Sequence, residues 1–196
     1  NTLQSVSSLR SLHAECCLEG PEREGLFQLQ DRVQAMAFVH EDMYGSGHFD
    51  SVRMDAYFQR ICESLSASRR ISCPISLRVE PSELALPLEK ALPCGLIVSE
   101  LVTNALKHAF TGRACGEVLV SLALEEGKVR VGVSDDGIGL AAAKAAAPAG
   151  SPAAAAGAGG GIGASLVEGL SSQLKGRLET ETSAAGTRVS LVFPAG

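Results

Sequence analysis

Aromatic side chains are scarce in this sequence, which has no tryptophan, two tyrosines and six phenylalanines among 196 residues. Its core must therefore be mainly aliphatic. The sequence also has no run of 18 apolar residues and no signal peptide, so we expect a cytoplasmic protein without membrane contact. Its six cysteines form neither a CxxC pair nor a zinc-type spacing with histidine, which predicts reduced thiols.

Positive charge is also limited. The formal net charge is −5, and the densest basic cluster is Arg69-Arg70. This balance argues against a nucleic-acid-binding surface. Apolar residues make up 45% of the chain and charged residues 20%, which suffices for one domain, with or without a helical appendage. Because the chain starts at Asn1 and not at Met, we expect it to be a fragment of a longer protein.

Two helices are predicted at the start of the chain, over residues 2–18 and 22–44. Gly20-Pro21 separates them, because proline ends one helix and favours the first turn of the next. The second helix repeats mostly apolar side chains at three- and four-residue steps: Leu26, Leu29, Val33, Met36, His40 and Met43. This stripe predicts a homodimeric four-helix bundle. The alternative is a hairpin that packs only on the downstream domain.

The rest of the chain predicts an α+β sandwich of three helices and about five strands. The helices are indicated by Met54, Tyr57, Phe58, Ile61 and Leu65, by a stretch with Pro93 near its first turn, and by residues from Ile162 to about Leu174. Strands are predicted where the apolar period changes to two: from Ile71 to Pro81, on both sides of Glu126-Gly127, and on both sides of Ala185-Gly186.

Residues 141–160 differ from the rest, since they are nearly all Ala, Gly and Pro with Lys144 as the single charged residue. Without large side chains to anchor it, this segment predicts a mobile loop.

The stretch SELVTNALKHA, from Ser99 to Ala109, reads as a core helix that nevertheless carries a polar row. Glu100, Asn104, Lys107 and His108 fall at i, i+4, i+7 and i+8, so they share one face. Such a row is either the solvated side of an amphipathic helix or a surface that faces a ligand.

Two glycine clusters on either side of the low-complexity segment favour the ligand. SDDGIGL ends a predicted strand, and GGGIGASLV starts a predicted helix. Glycines allow close backbone approach, and a helix N-terminus offers free N–H groups to phosphate. Asp135 at the strand end could accept a hydrogen bond from an exocyclic amine. A neighbouring row of Glu, Asn and Lys suits a divalent cation and phosphate charge, so the row is predicted to face a nucleotide.

These stretches resemble the three boxes of the Bergerat ATP-binding fold, which gyrase, Hsp90, MutL and histidine kinases share. ELVTNALKHAF is similar to the N box, DDGIG to the first glycine box and GGGIG to the second, with a flexible lid at about 141–160 between them. Gly186-Thr187 resembles the closing G-T element. Within this superfamily, NTLQSVSSLRSL and RVQAMAFVHEDMY are most similar to the two dimerisation helices of HisKA_2 sensor histidine kinases. The sister HWE group fits less well, because the chain lacks tryptophan.

The resemblance implies an α/β sandwich with a mixed sheet covered by helices on one face, over residues 49–196, behind a dimerising hairpin over residues 1–48. It implies ATP and Mg²⁺ as ligands. Asn104 would bind the metal, Glu100 would be the polarising or general-base group, and Lys107 and His108 would contact phosphates. Asp135 would bind the adenine amine, and Thr187 would support the adenine pocket. The lid hinges would be formed by the glycines of both boxes: Gly137, Gly139, Gly161 and Gly163.

The implied activity is that of an ATP-dependent protein histidine kinase, with an upstream sensor domain and a response-regulator receiver domain as partners. The phosphoacceptor histidine of this family would lie just before Asn1. His13 and His40 do not match the acceptor motif, and His48 is expected at the surface. Two alternatives stay open: a nucleotide-binding dimeric scaffold without catalysis, and an ATPase of the gyrase and Hsp90 type.

Overall fold

The computed structural model describes residues 21–45, 51–68, 74–146 and 162–195. The predicted helix over 2–18, His13, His48 and Gly161 lie outside these residues, as do 147–160 of the predicted lid.

Helix α1 (Pro21–Gly45) matches the predicted second helix of the hairpin. Its buried face contains Ala35 and Val39 and packs against the next two long helices. This packing on the downstream domain is the contact that the alternative to a four-helix bundle predicted. Its other face leaves Leu26, Leu29 and Met36 exposed. The helix therefore has two apolar faces, of which only one is used within the described part of the chain.

Helix α2 (Met54–Ser68) confirms the predicted amphipathic helix, because all five residues that indicated it are buried. It is preceded by strand β1 (Val52–Arg53), which pairs antiparallel with β3 (Ala85–Leu86). This small sheet was not predicted, since two-residue strands show no period.

The main sheet contains five strands in the order β2-β4-β5-β7-β6. These are β2 (Ile75–Val79), β4 (Gly116–Glu125), β5 (Lys128–Asp135), β6 (Arg177–Ser183) and β7 (Gly186–Pro194). The pair β2–β4 is parallel and the other pairs are antiparallel, so the sheet is mixed as predicted. Pairing of β5 with β7 brings Asp135 opposite Thr187, which places two predicted site residues side by side.

Helix α3 (Leu88–His108) contains the polar row. The prediction that Pro93 lies near its first turn was wrong, because the helix begins five residues earlier. The carbonyl of Pro87 accepts hydrogen bonds from the N–H groups of Lys90 and Ala91 and starts the first turn there. Pro93 is consequently a buried residue inside the helix.

Helices α4 (Gly139–Ala146) and α5 (Ile162–Gln173) stand before and after the glycine-rich segment. Helix α5 agrees with the prediction. Helix α4 corrects the predicted loop, because residues 141–146 are helical. Alanine has the highest helix propensity, and the side-chain oxygen of Thr182 accepts the N–H of Leu140 at the start of the helix, at 3.0 Å.

The core lies between the sheet and the four helices α1, α2, α3 and α5. It is mainly aliphatic, and its aromatic members are Tyr57, Phe58, Phe110 and Phe193. Cys62, Cys94 and Cys115 are free, and burial raises the pKa of the first two thiols to about 12. No helix within the four described ranges combines the length and the apolar content that crossing a membrane would require.

Candidate functional site

The polar row on α3 runs from the protein interior to the surface. Glu100 is only 3% exposed, Lys107 is half-buried, and Asn104 and His108 are exposed. A solvated stripe would leave the first carboxylate in water, because burying a charge is costly unless it is paired. The simple amphipathic interpretation of this row therefore fails at Glu100.

The first glycine box packs against the C-terminal end of α3. The N–H of Ile138 donates to the carbonyl of Ala109 at 2.9 Å, and Gly137 lies directly over that same peptide group. Gly139 has a φ of +73°, which favours glycine, and a side chain there would also meet the Ser183 carbonyl. The box is thus held in a fixed turn between α3 and the β6–β7 hairpin.

The second glycine box reaches α3 at the opposite end of the row. A Cβ atom placed on Gly163, the second residue of α5, would lie 2.5 Å from Oε2 of Glu100. Any larger residue at this point would force the carboxylate of Glu100 to shift. The two boxes therefore contact α3 at Glu100 and at Ala109, and the polar row lies between these contacts.

Asp135 ends strand β5 with a half-buried side chain. Its Oδ1 accepts hydrogen bonds from the N–H groups of Gly137, at 2.9 Å, and Thr187, at 3.3 Å. Among the described residues no hydrogen bond reaches its Oδ2, which leaves that oxygen available to a ligand. Burial raises the pKa of the Asp135 carboxyl above its ordinary value, while the two N–H donors oppose the shift and the charge of Asp136 adds to it.

A cavity of about 380 Å³ opens beside Asp135, and its walls come from the ends of β5, β6 and β7. Thr187 and Thr182 line it, and their hydroxyl oxygens lie 3.3 Å apart. Because Thr182 also accepts the N–H of Leu140 in the first turn of α4, the cavity wall is connected to the start of the predicted lid.

The described residues contain no group of three or more His, Cys, Asp or Glu side chains placed to hold a metal. A Mg²⁺ ion that binds together with a nucleotide needs no such group, because it usually takes one or two protein oxygens and fills its shell with phosphates and water. The exposed amide oxygen of Asn104, one turn from the buried Glu100, is of the right type for such a site.

Two residues near the site were missed by the sequence analysis. Arg32 of α1 donates from Nε to Oε1 of Glu100 at 2.6 Å, across 68 positions of sequence. Its only signal was its place at the start of RVQAMAFVHEDMY. Thr182 had no signal at all, because it lies in a strand of alternating polar residues.

Two family models match the chain. The model of the histidine kinase-, DNA gyrase B- and HSP90-like ATPases matches residues 89–196. The HisKA_2 histidine kinase model matches residues 1–69.

Histidine kinases are among the individual relatives. Blue-light-activated histidine kinase 2 of Erythrobacter litoralis is 33% identical over 117 residues, which are 57% of this chain and 34% of the relative. Sensor histidine kinase PdtaS of Mycobacterium tuberculosis is 30% identical over 141 residues, which are 71% of this chain and 28% of the relative. The chain thus spans about a third of the length of these curated relatives.

The fold is also shared with a solved structure. The histidine kinase domain of the Erythrobacter litoralis EL346 blue-light activated histidine kinase superposes with a TM-score of 0.68, at 24% identity, over 97% of this chain and 96% of that one. With matched family models over most of its length, the chain belongs to the histidine kinase-, DNA gyrase B- and HSP90-like ATPase family, and within it to the histidine kinases of the HisKA_2 type.

Proposed function

We propose that this chain is the dimerisation and catalytic portion of a cytoplasmic sensor histidine kinase. It binds Mg·ATP and transfers the γ-phosphoryl group to a histidine on the dimerisation helix, and from there to an aspartate of a response regulator. We assign residues 1–48 to the hairpin and 49–196 to the ATP-binding domain, with a sensor domain upstream. The observation that carries the proposal is the position of the α3 row between the two glycine boxes, the first of which is hydrogen-bonded to Asp135 through the N–H of Gly137.

Each end of the nucleotide has a chemically suitable partner in this arrangement. Oδ2 of Asp135 accepts the adenine amine, and Thr187 supports Asp135 through its backbone N–H. At the other end, Asn104 holds Mg²⁺, and Lys107 and His108 contact phosphate oxygens. Mg²⁺ held there would supply positive charge to the phosphates, and phosphoryl transfer depends mainly on positioning and on such electrostatic stabilisation. The glycines at 137, 139, 161 and 163 let the backbone approach the ligand.

The transfer step breaks the bond between the γ-phosphorus and its bridging oxygen, which leaves with ADP, and forms a phosphorus–nitrogen bond to the acceptor imidazole. Glu100 takes the proton that the ring gives up. The acceptor imidazole belongs to the hairpin of the full-length protein.

Nucleotide binding is tested by titration calorimetry of ADP with Mg²⁺. Asp135→Asn should weaken affinity about ten- to hundredfold, because a hydrogen bond to a charged group contributes about 1.5–3 kcal/mol. The matched control is Asp136→Asn, which alters the next, exposed carboxylate and should change little. Asn104→Ala should weaken binding with Mg²⁺ but not in EDTA.

Equal affinity of all these variants would refute the site.

Chemistry is tested on the full-length protein with γ-labelled ATP, where acid-labile label on the protein indicates a kinase. Release of inorganic phosphate without label would instead indicate an ATPase.

A further inference from the structure

The ion pair between Arg32 and Glu100 joins helix α1 to helix α3 inside the protein. Nε of Arg32 lies 2.6 Å from Oε1 of Glu100, and the two side chains are 17% and 4% exposed. A pair this deeply buried costs desolvation energy on both sides, so its geometry decides whether it stabilises the fold.

Only one polar atom of each charged side chain takes part in the pair, Nε of Arg32 and Oε1 of Glu100. Within the described ranges, Nη2 of Arg32 and Oε2 of Glu100 are both buried, and neither has a hydrogen-bond partner. An ion pair selected for stability would gain from two parallel hydrogen bonds between guanidinium and carboxylate. Each buried polar group left unpaired instead costs about 1–3 kcal/mol. An orphaned buried carboxylate oxygen beside a proposed active site calls for a functional explanation.

The free oxygen faces the second glycine box. Oε2 of Glu100 occupies the space that a side chain at Gly163 would need, as described above, in the first turn of α5. The N–H groups of such a first turn favour phosphate. One carboxylate oxygen is therefore bound by α1, and the other is directed to the end of the site where phosphates are expected.

Docking of α1 does not depend on Arg32 alone. The hydroxyl of Tyr57 donates to the carbonyl of Ala35 at 3.0 Å. Arg60 of α2 pairs with Glu41 and Asp42 and lies 4.4 Å from the centre of the Phe38 ring. These contacts hold the C-terminal half of α1, away from Glu100, so the role of Arg32 can be separated from docking.

We propose that Arg32 is a positioning residue for phosphotransfer, which holds Glu100 by Oε1 so that Oε2 is presented to the reacting groups. This inference rests on the proposed kinase function. It means that the dimerisation helix contributes to the catalytic site directly and does not only bring the acceptor to it.

The test uses Arg32→Gln, Arg32→Lys, Glu100→Gln and the double variant in the full-length protein. Arg32→Gln should lower the autophosphorylation kcat about ten- to hundredfold, as misplacement of a reacting group does, while KM for ATP and the Kd for Mg·ADP change less than about twofold. Arg32→Lys should restore part of the rate. The double variant should be no slower than Glu100→Gln, because Arg32 acts only through Glu100.

Arg60→Gln is the matched control, since it removes ion pairs from the same helix interface away from Glu100. It should lower Tm and leave kcat unchanged. A kcat of Arg32→Gln equal to or above that of the parent protein, an equal loss in Arg60→Gln, or additive losses in the double variant would overturn the inference. If Arg32→Gln does not fold, Arg32→Lys is compared with the parent protein instead. A lowered kcat with KM for ATP changed less than about twofold would again support the inference, and an unchanged kcat would overturn it. Absence of Mg·ADP binding or of label in the parent protein would instead refute the proposed function.

Discussion

The half-buried position of the Asp135 carboxyl lowers the stability of the folded protein. Its carboxyl is half-buried with a raised pKa, as shown above, so the folded protein holds a proton at pH values where the unfolded chain has lost it. The favourable contribution of the protonated form is present at low pH and is lost as the pH rises through the folded-state pKa. At neutral pH the ionised carboxylate therefore lowers stability.

Asp135→Asn should accordingly raise the Tm of the nucleotide-free protein at neutral pH, because the amide keeps the acceptor for Gly137 and Thr187 without the charge. The difference in Tm from the parent protein should shrink as the pH falls towards the pKa of the carboxyl. Thermal unfolding across a pH series, with Asp136→Asn measured in parallel, checks this. A variant less stable than the parent at neutral pH would show that the carboxylate is held there for structural reasons.

At this scale the sequence located candidates but not their partners. The glycine boxes placed Asp135 and Gly163, since strand ends and helix starts can be recognised from local patterns. The sequence did not show that Glu100 would contact Arg32, because that contact spans 68 positions and depends on how α1 packs against α3. The roles of Asn104, Lys107 and His108 stay predictions.

Among the elements, helices α2 and α3 cross at a glycine. A Cβ atom on Gly95 would collide with the ring of Tyr57, which is fully buried. Gly169 of α5 is also a helical glycine, but it is exposed and has no atom within 4 Å of an added Cβ. The two glycines differ in packing while sharing the same helix-propensity penalty.

Gly95→Ala should therefore destabilise the protein by about 1–3 kcal/mol, as overpacking does. Gly169→Ala should stabilise it by about 0.5–1 kcal/mol, through propensity alone. Urea unfolding of both variants gives the two free energies, and m values show whether the unfolded reference has changed. Stabilisation by Gly95→Ala would mean that α2 and α3 can move apart at no cost.

Elements with strong local signals were predicted well. The β4–β5 hairpin is one example, because Glu126 and Gly127 both have positive φ, at 49° and 74°, as a type I′ turn requires. The start of α3 was misplaced because proline is most common in the first turn, whereas here Pro93 lies inside the helix. Tertiary burial outweighs the hydrogen bond that this proline removes. Helix α4 was missed because its alanines favour a helix but give no periodic apolar pattern from which a helix could be recognised.

At the scale of the whole molecule, the second apolar face of α1 predicts self-association. Leu26, Leu29 and Met36 are 41%, 47% and 41% exposed, while Val33 of the predicted stripe is half-buried. Three large apolar side chains on one helix face are typical of a bundle interface.

Leu29→Glu combined with Met36→Glu should convert a dimer into a monomer, because charged side chains would have to be buried in the bundle. Light scattering at tens of micromolar protein measures the mass. The control is Leu124→Glu, at a side chain that is 56% exposed on strand β4 and should leave the dimer intact. A monomeric parent protein, or a dimeric double variant, would contradict the prediction.

The attachment of helices α4 and α5 has a consequence for how this chain can vary. The start of α4 is hydrogen-bonded to Thr182, and α5 packs against α3 near Glu100, so the two helices are positioned by the sheet and by α3. The free energy needed to close a connecting segment rises only with the logarithm of its length, by about 0.6 kcal/mol for each doubling. Insertions or deletions between Ala146 and Gly159 should thus cost little stability. Natural variation, or an engineered reporter peptide, can enter the chain there while both glycine boxes keep their register.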